Sequence, residues 1–164
     1  MKKIHFASAL VLSLAFSLVG SRVYGTFEDK SMRGIDSIYI AIENINPDIK
    51  NEGFNEQTVR RDVELKLRSA GIKIIGENEW LNLKGRPYLL IAPIVKEISP
   101  NNYVYKIKMR IRQEARLIRN PSLVTFCTTW DRESFGTSSS LSYIRKDLEY
   151  LVDDFLDVWL SVNP

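Results

Sequence analysis

The sequence predicts an α+β domain. We expect a two-layer sandwich in which a mostly antiparallel sheet of about five strands is backed by two helices, in the order β-α-β-β-β-β-α. Two patterns support this fold class. Long stretches after residue 100 alternate between apolar and polar side chains, as strands with one buried face do. Two other segments, 55–70 and 141–162, carry apolar residues every three or four positions, as helices packed on a core do.

The domain begins with a strand and a helix. Residues 37–45 alternate and predict a strand whose apolar side consists of Ile38, Ile40 and Ile42. Asn46-Pro47-Asp48 ends this strand, because proline lacks a backbone donor. Asn55 is a favourable N-cap for a helix that extends to Ala70, and Gly71 is a typical C-terminal stop. The core-facing stripe of this helix is formed by Val59, Val63, Leu67 and Ala70.

Three shorter predictions cover the middle of the chain. Ile72 to Ile75 predicts a short strand, and Glu77 to Leu81 predicts one helical turn. Tyr88 to Ile98 is apolar on both alternations, so we expect a central strand that is covered on both faces. Pro93 lies inside it, and because proline rarely occurs within a sheet, we expect a bulge or a sheet edge there. Ser99-Pro100-Asn101-Asn102 then predicts a turn.

A long hairpin follows. Residues 103–119 have the longest strand pattern, and residues 123–135 form the returning strand. If Asn120-Pro121-Ser122 is the turn, the cross-strand pairs are Ile111 with Trp130, Ala115 with Phe126, Arg110 with Asp131, and Lys108 with Glu133. Apolar pairs then share one face and opposite charges share the other, which favours this register.

The last segment, residues 141–162, predicts an amphipathic helix of about six turns after the capping segment Thr137–Ser140. Its apolar stripe would also suit a coiled coil, so an oligomerisation or protein-interaction surface is one interpretation. We favour packing against the sheet, because a small domain needs this stripe to bury its core. The stripe consists of Leu141, Ile144, Leu148, Leu151, Phe155, Val158 and Val162.

Residues 1–25 resemble a bacterial secretion signal. Lys2 and Lys3 precede an apolar stretch, Ala7 to Val19, and small residues precede a cut site after Gly25. The stretch is shorter than the roughly 20 residues of a spanning helix, and Ser21 stands where a lipoprotein signal requires cysteine. We therefore expect a cleaved signal peptide, a periplasmic or secreted location, and a mature chain with no transmembrane span. A flexible leader at 26–35 and a single domain at 36–164 would follow.

Composition excludes much chemistry. Removing residues 1–25 removes the only histidine, His5, and lowers the 23 Lys and Arg to 20, equal to the 20 Asp and Glu. Without histidine no Ser–His or Cys–His pair can form, and the commonest metal ligand is absent. Cys127 has no visible activating base and is interpreted as a structural thiol. We expect no catalytic residue, metal or cofactor, and the balanced charge does not favour nucleic acid.

Two sets of charged residues could carry function. One strand face bears five cations, which would attract anions such as lipid headgroups, lipopolysaccharide or acidic polymers. The simpler interpretation is a solvated outer face. Asp131 and Glu133 lie about 7 Å apart by strand rise and could serve an envelope polysaccharide hydrolase, but their cationic neighbours would keep both ionised. The candidate anion-binding residues are Lys106, Lys108, Arg110, Arg112 and Arg116.

Two short motifs, Thr128-Thr129-Trp130 and Asp153-Asp154-Phe155-Leu156, resemble segments of secreted bacterial proteins. The order of elements over residues 36–163, the secretion signal and the turn Ala70-Gly71-Ile72 resemble a group of small bacterial envelope domains. The group includes the amino-terminal domain of the Tol protein TolB, the lipopolysaccharide-assembly lipoprotein and auxiliary domains of ABC transporters. The resemblance implies a non-catalytic binding or assembly module, and our hypothesis for its partner is an envelope protein or an anionic lipid. It identifies no site residues.

Overall fold

The computed structural model describes residues 26–50 and 52–164, so the predicted signal segment lies outside the described residues. The strands are β1 (Ser37–Ile42), β2 (Lys73–Ile74), β3 (Tyr88–Ser99), β4 (Asn102–Leu117) and β5 (Asn120–Ser138). The helices are α1 (Phe27–Lys30), α2 (Pro47–Lys50), α3 (Glu56–Ser69), α4 (Glu77–Leu81) and α5 (Leu141–Val162). The predicted α+β class is confirmed.

The strands form one sheet in the spatial order β2-β1-β3-β4-β5. β1 is parallel to both β2 and β3, whereas β3, β4 and β5 are successively antiparallel. Parallel neighbours cannot be joined by a tight turn and need a crossover. The segment from α3 to α4 provides it, since it lies between β1 and β3 in the chain.

The two long helices cover one face of the sheet, which we call the inner face; the opposite one is the outer face. The apolar stripe of α5 is buried in the core, as the packing interpretation predicts. Trp130 of β5 and Phe155 of α5 are both buried, with ring centroids 5.4 Å apart in an edge-to-face arrangement. The stripe of α3 contributes Val59, Val63 and Leu67 to the same core.

Local signals located α3 accurately. The Asn55 side chain accepts a hydrogen bond from the backbone N–H of Thr58 at 2.9 Å, as an N-cap does. Gly71 follows the helix with φ of 89°, a left-handed conformation that favours glycine. The turn predicted at Asn46-Pro47-Asp48 instead opens the one-turn helix α2, in which Pro47 takes the first position, where its missing N–H costs little.

The expectation of a flexible leader at residues 26–35 is wrong in this structure, because the segment packs into the domain. Thr26 and Asp29 form a capping box around α1. Met32 is fully buried in the core. Asn163, just after α5, accepts a hydrogen bond from the Gly34 N–H at 2.7 Å and donates one to the Met32 carbonyl at 3.1 Å. Only a few residues of this segment face the core, so most of its sequence is polar and resembles that of a flexible leader.

The hairpin register is partly as predicted. Ile111 pairs with Trp130, Arg110 with Asp131 and Lys108 with Glu133. The prediction that Ala115 faces Phe126 is wrong, since Ala115 pairs with Thr125. The bulge explains this shift, because Thr129 is an extra residue between the paired positions Thr128 and Trp130. The predicted tip is also wrong: it is Ile118-Arg119 instead of Asn120-Pro121-Ser122, because a second irregularity leaves residues 121–123 without a cross-strand partner in the ladder.

The extra residue has a structural role, because the bulge at Thr129 receives the N-terminal segment. The Ser31 hydroxyl donates a hydrogen bond to the Thr129 carbonyl at 3.1 Å. The Gln113 amide donates to the Ser31 carbonyl at 3.2 Å and to the Thr129 hydroxyl at 2.8 Å. The bulge and the segment thus satisfy each other's free polar groups.

Pro93 lies where the parallel ladder between β1 and β3 stops. The Ile91 carbonyl accepts the last bond of this ladder from the Glu43 N–H at 2.9 Å. Two residues later Pro93 would again face β1, but it has no N–H to donate. On its other side Pro93 pairs with Ile107 of β4. At Pro93, strand β3 therefore has no neighbour among the described residues on its β1 side but keeps β4 on the other side, so the predicted sheet edge is present on one side only.

The packing of residues 26–35 can be tested with two truncations. Met32→Ala should lower the free energy of unfolding by about 2–5 kcal/mol, because it empties a filled core position. Phe27→Ala, at a side chain that is 94% exposed, should change it by less than about 0.5 kcal/mol. Urea unfolding of both variants measures the difference. Equal, small effects would mean that the segment is not held in the core.

Candidate functional site

The five predicted anion-binding residues all face outward on β4. Their cross-strand neighbours on β3 and β5 share the outer face, because partners in a ladder point the same way. The residues extend over a row of about 33 Å, judged from the rise per residue in a strand. The alternation predicted for β4 is present, since Ile107, Met109 and Ile111 between these cations are buried on the inner face.

The first two cations of the row are paired with carboxylates of β5. The Lys106 Nζ lies 3.0 Å from the Glu133 carboxylate. The Lys108 Nζ lies 2.9 Å from the Asp131 carboxylate and 3.7 Å from that of Glu133. The hydrogen bond to Asp131 is the main cause that raises the pKa of Lys108. At this end of the row the positive charge is largely neutralised.

The three arginines differ from the lysines. Within the described chain no carboxylate lies in ion-pair distance of Arg110, Arg112 or Arg116. The Arg112 guanidinium lies 5.8 Å from the centroid of the Tyr88 ring, within cation–π range. Arg116 donates to the Pro121 carbonyl at 3.2 Å. The unneutralised charge of the row is therefore concentrated at Arg110, Arg112 and Arg116.

The pair Asp131 and Glu133 has the electrostatics of ion-pair partners. The hydrogen bond from Lys106 holds the pKa of Glu133 below its usual range, and the charge of Lys108 acts in the same direction. A general acid for glycoside hydrolysis needs the opposite shift, a carboxyl pKa raised toward neutrality. The surroundings of these two residues therefore oppose the hydrolase interpretation.

An apolar patch adjoins the lysine end of the row. It consists of Ile94, Val104 and Phe135, which face outward on β3, β4 and β5, respectively. Ile94 is 65% exposed and Phe135 is 77% exposed. Lys96 and Lys106 line the same shallow groove as the patch. The outer face here combines large apolar side chains with two cations.

This patch corrects the expectation that β3 is covered on both faces. Leu90 and Ala92 are buried on the outer face, opposite Arg110 and Lys108, whose methylene stems are suited to cover apolar surface. Ile94, two residues further on, is open to solvent. Apolar periodicity in β3 alone does not distinguish covered from open positions.

A cluster of aromatic rings covers the other end of the outer face. Trp80 of α4 lies with its ring centroid 5.5 Å from that of Tyr39, 5.6 Å from Tyr88 and 6.0 Å from Phe126. The Arg86 guanidinium lies 4.9 Å from the Phe126 centroid. Sequence reasoning did not find this cluster, because its members come from four separate elements with no common spacing.

Other features of the described residues limit the chemistry that they suggest. Cys127 is a free, half-buried cysteine on β5. Among residues 26–50 and 52–164 there is no group of three or more His, Cys, Asp or Glu arranged to hold a metal ion. No helix in this part of the chain has the length and apolar character needed to cross a bilayer.

The comparisons with known proteins reveal weak resemblances only. No family model and no curated protein matches the chain. Solved structures that match include a PelC dodecamer from Paraburkholderia phytofirmans, with 14% identity, coverage of 76% of this chain and 87% of that chain, and a TM-score of 0.43. They also include a minor lipoprotein from Acinetobacter baumannii, with 10% identity, the same coverage and a TM-score of 0.30. Likeness at this level does not transfer function.

The charge cluster on β4 and β5 makes a specific prediction. Lys106→Gln should raise the pKa of Glu133 toward its usual value, because it removes the positive charge from the group whose hydrogen bond stabilises the carboxylate. Carboxyl carbon NMR over an acidic pH series measures this shift. Lys96→Gln is the matched control, since Lys96 also faces outward but forms no ion pair with Glu133. The same shift in both variants would contradict the pairing.

Proposed function

We propose that this protein is a non-catalytic, periplasmic or secreted binding module of the bacterial cell envelope, and that its outer sheet face binds an anionic lipid surface. The observation that carries the proposal is the combination of a cationic row with an exposed apolar patch on the same face of the sheet. An enzyme acting through Asp131 and Glu133 is not favoured, because both carboxylates are held as ion-pair partners. The location rests on the signal pattern of residues 1–25.

Charge supports this choice of ligand. On strands β3 to β5, all of whose residues are described, six cations face outward against three carboxylates, Glu114, Asp131 and Glu133. The six cations are Lys96, Lys106, Lys108, Arg110, Arg112 and Arg116. This excess of positive charge is attracted by the negative surface potential of anionic lipids. The attraction acts only within about a Debye length of the membrane surface. The attraction is therefore strongest when the outer face lies directly on the membrane.

The apolar patch distinguishes a lipid surface from a soluble polyanion. Ile94, Val104 and Phe135 gain nothing from a hydrated polymer, whereas shallow burial in the headgroup region removes them from water. Lys96 and Lys106 border the patch, and lysine side chains can keep their ammonium groups at phosphate level while their stems contact apolar surface. The face thus offers both kinds of contact that a lipid interface accepts.

Charge on the opposite layer favours one orientation of the molecule. Helices α3 and α5, which cover the inner face, together carry eight carboxylates and six cations. An anionic membrane attracts the outer face, with its excess of cations, and weakly repels this helix layer. The charge distribution therefore directs the outer face, and not the helices, toward an anionic surface.

Removal of two cations tests the proposal. Lys106→Gln together with Arg112→Gln should weaken binding to phosphatidylglycerol-containing vesicles roughly thirtyfold, taking about 1 kcal/mol per cation. Co-sedimentation measures the affinity. The matched control is Arg61→Gln with Arg68→Gln, which removes two exposed cations from α3 on the helix side. Equal losses in both double variants, or no loss in either, would contradict binding through the outer face.

Neutralising the two carboxylates should have the opposite effect. Asp131→Asn with Glu133→Gln frees Lys106 and Lys108 from their partners and should strengthen vesicle binding roughly thirtyfold, taking the same value of about 1 kcal/mol per unit charge. The loss of exposed ion pairs costs the fold little, about 0–1 kcal/mol each. The same variant separates the proposal from the hydrolase interpretation, which predicts loss of an activity and no gain in binding. Unchanged or weaker binding would count against the anion-binding row.

A further inference from the structure

The far end of the β4–β5 hairpin extends beyond the rest of the sheet. The ladder between β3 and β4 starts at the pair of Tyr88 and Arg112, and the Glu114 N–H still bonds to the Gly85 carbonyl at 2.8 Å. Residues 115–125, which we call the hairpin arm, pair only with each other. All of residues 118–125 are exposed. A two-stranded ribbon of this kind adds little stability of its own.

The tip of the arm presents apolar side chains to solvent. Ile118 is 98% exposed, and Leu123 and Val124 are exposed beside it. Ile118 and Arg119 form the two-residue connection between the strands. Neither residue has a positive φ, so this turn does not need the Asn, Asp or Gly of left-handed hairpin turns and accepts an isoleucine without requiring one. The core does not account for this isoleucine either, because its side chain is almost fully exposed.

Charge around the tip is entirely positive. Arg116 and Arg119 flank Ile118, and residues 115–130 contain no acidic residue. Arg116 is also the last cation of the row on β4, so the tip continues the outer-face surface. At the boundary between lipid phosphates and acyl chains, guanidinium groups can bind the phosphates while an apolar side chain between them contacts the acyl chains.

We infer that the hairpin arm is a membrane-inserting element: Ile118 enters the acyl boundary of an anionic bilayer while Arg116 and Arg119 bind lipid phosphates. This inference rests on the proposed function, because it adopts the same lipid surface as partner. The hairpin arm gives the protein a second membrane contact, separate from the apolar patch. The arm inserts into the bilayer, whereas the cationic row on β4 supplies electrostatic attraction.

A fluorescent probe at the tip tests the insertion directly. The environment-sensitive dye NBD is attached to Ile118→Cys in a Cys127→Ser background, and phosphatidylglycerol–phosphatidylcholine vesicles are added. A blue shift with a rise in intensity, and quenching by lipids spin-labelled near the headgroup, supports insertion. The matched control is Leu65→Cys, an exposed apolar site on α3, where the spectrum should not change.

A label-free variant measures how much the tip contributes. Ile118→Ser should weaken vesicle binding about tenfold, the value expected for loss of one buried aliphatic side chain. Its thermal unfolding should match that of the parent, since Ile118 contacts no core. Unchanged binding would overturn the inference.

The remaining outcomes separate the two proposals. Vesicle binding with an unchanged spectrum at position 118 overturns the insertion and leaves the outer-face function standing. Failure of the parent protein to bind any anionic vesicle overturns both. A blue shift without lipid, together with a larger species in sedimentation, overturns the insertion by assigning the tip to contact between copies of the chain.

Discussion

The alternation of side chains across β4 is the constraint on which the remaining architecture depends. Helices α3 and α5 cover only the inner face, so every second residue of β4 must be apolar and the residues between them must tolerate water. A slip of one residue would bury Lys108 and expose Met109, which strongly disfavours any other register. The cationic row is thus a consequence of the same alternation that builds the core around Trp130 and Phe155. Core and candidate site cannot shift independently.

The outer face is divided into regions with different chemistry. Rings around Trp80 cover one end, and the carboxylates of β5 neutralise the lysines near the other. What remains open is Arg116, the apolar patch and the hairpin arm, while Arg110 and Arg112 are half-buried. Like charges along a strand repel one another, and Asp131 and Glu133 offset this cost at the place where the sheet is fully paired. The unneutralised charge lies toward the arm, where a partner could approach without displacing part of the fold.

Periodicity predicted the elements that one repeating pattern defines. The spacing of Val59, Val63 and Leu67 located α3, and the alternation around Ile111 gave the correct pairing with Trp130. The prediction for residues 26–35 was wrong because few of these residues, Met32 among them, enter the core, too few to form a period. The hairpin register was wrong beyond Thr129 because a bulge leaves no mark in the alternation. The aromatic cluster and the open position of Ile94 depend on where β1 and α4 stop, which is a property of the assembled sheet.

The orientation of the molecule on a membrane is the central claim, and methyl NMR measures it most directly. The protein is labelled at isoleucine, leucine and valine methyls and mixed with anionic vesicles that carry a paramagnetic headgroup lipid. Binding through the outer face predicts strong relaxation of Ile94, Val104 and Ile118 and little effect at Leu65 and Leu160, which are exposed on the helix side. Stronger relaxation at Leu65 and Leu160, or equal relaxation on both sides, would contradict the assignment of the outer face as the binding surface.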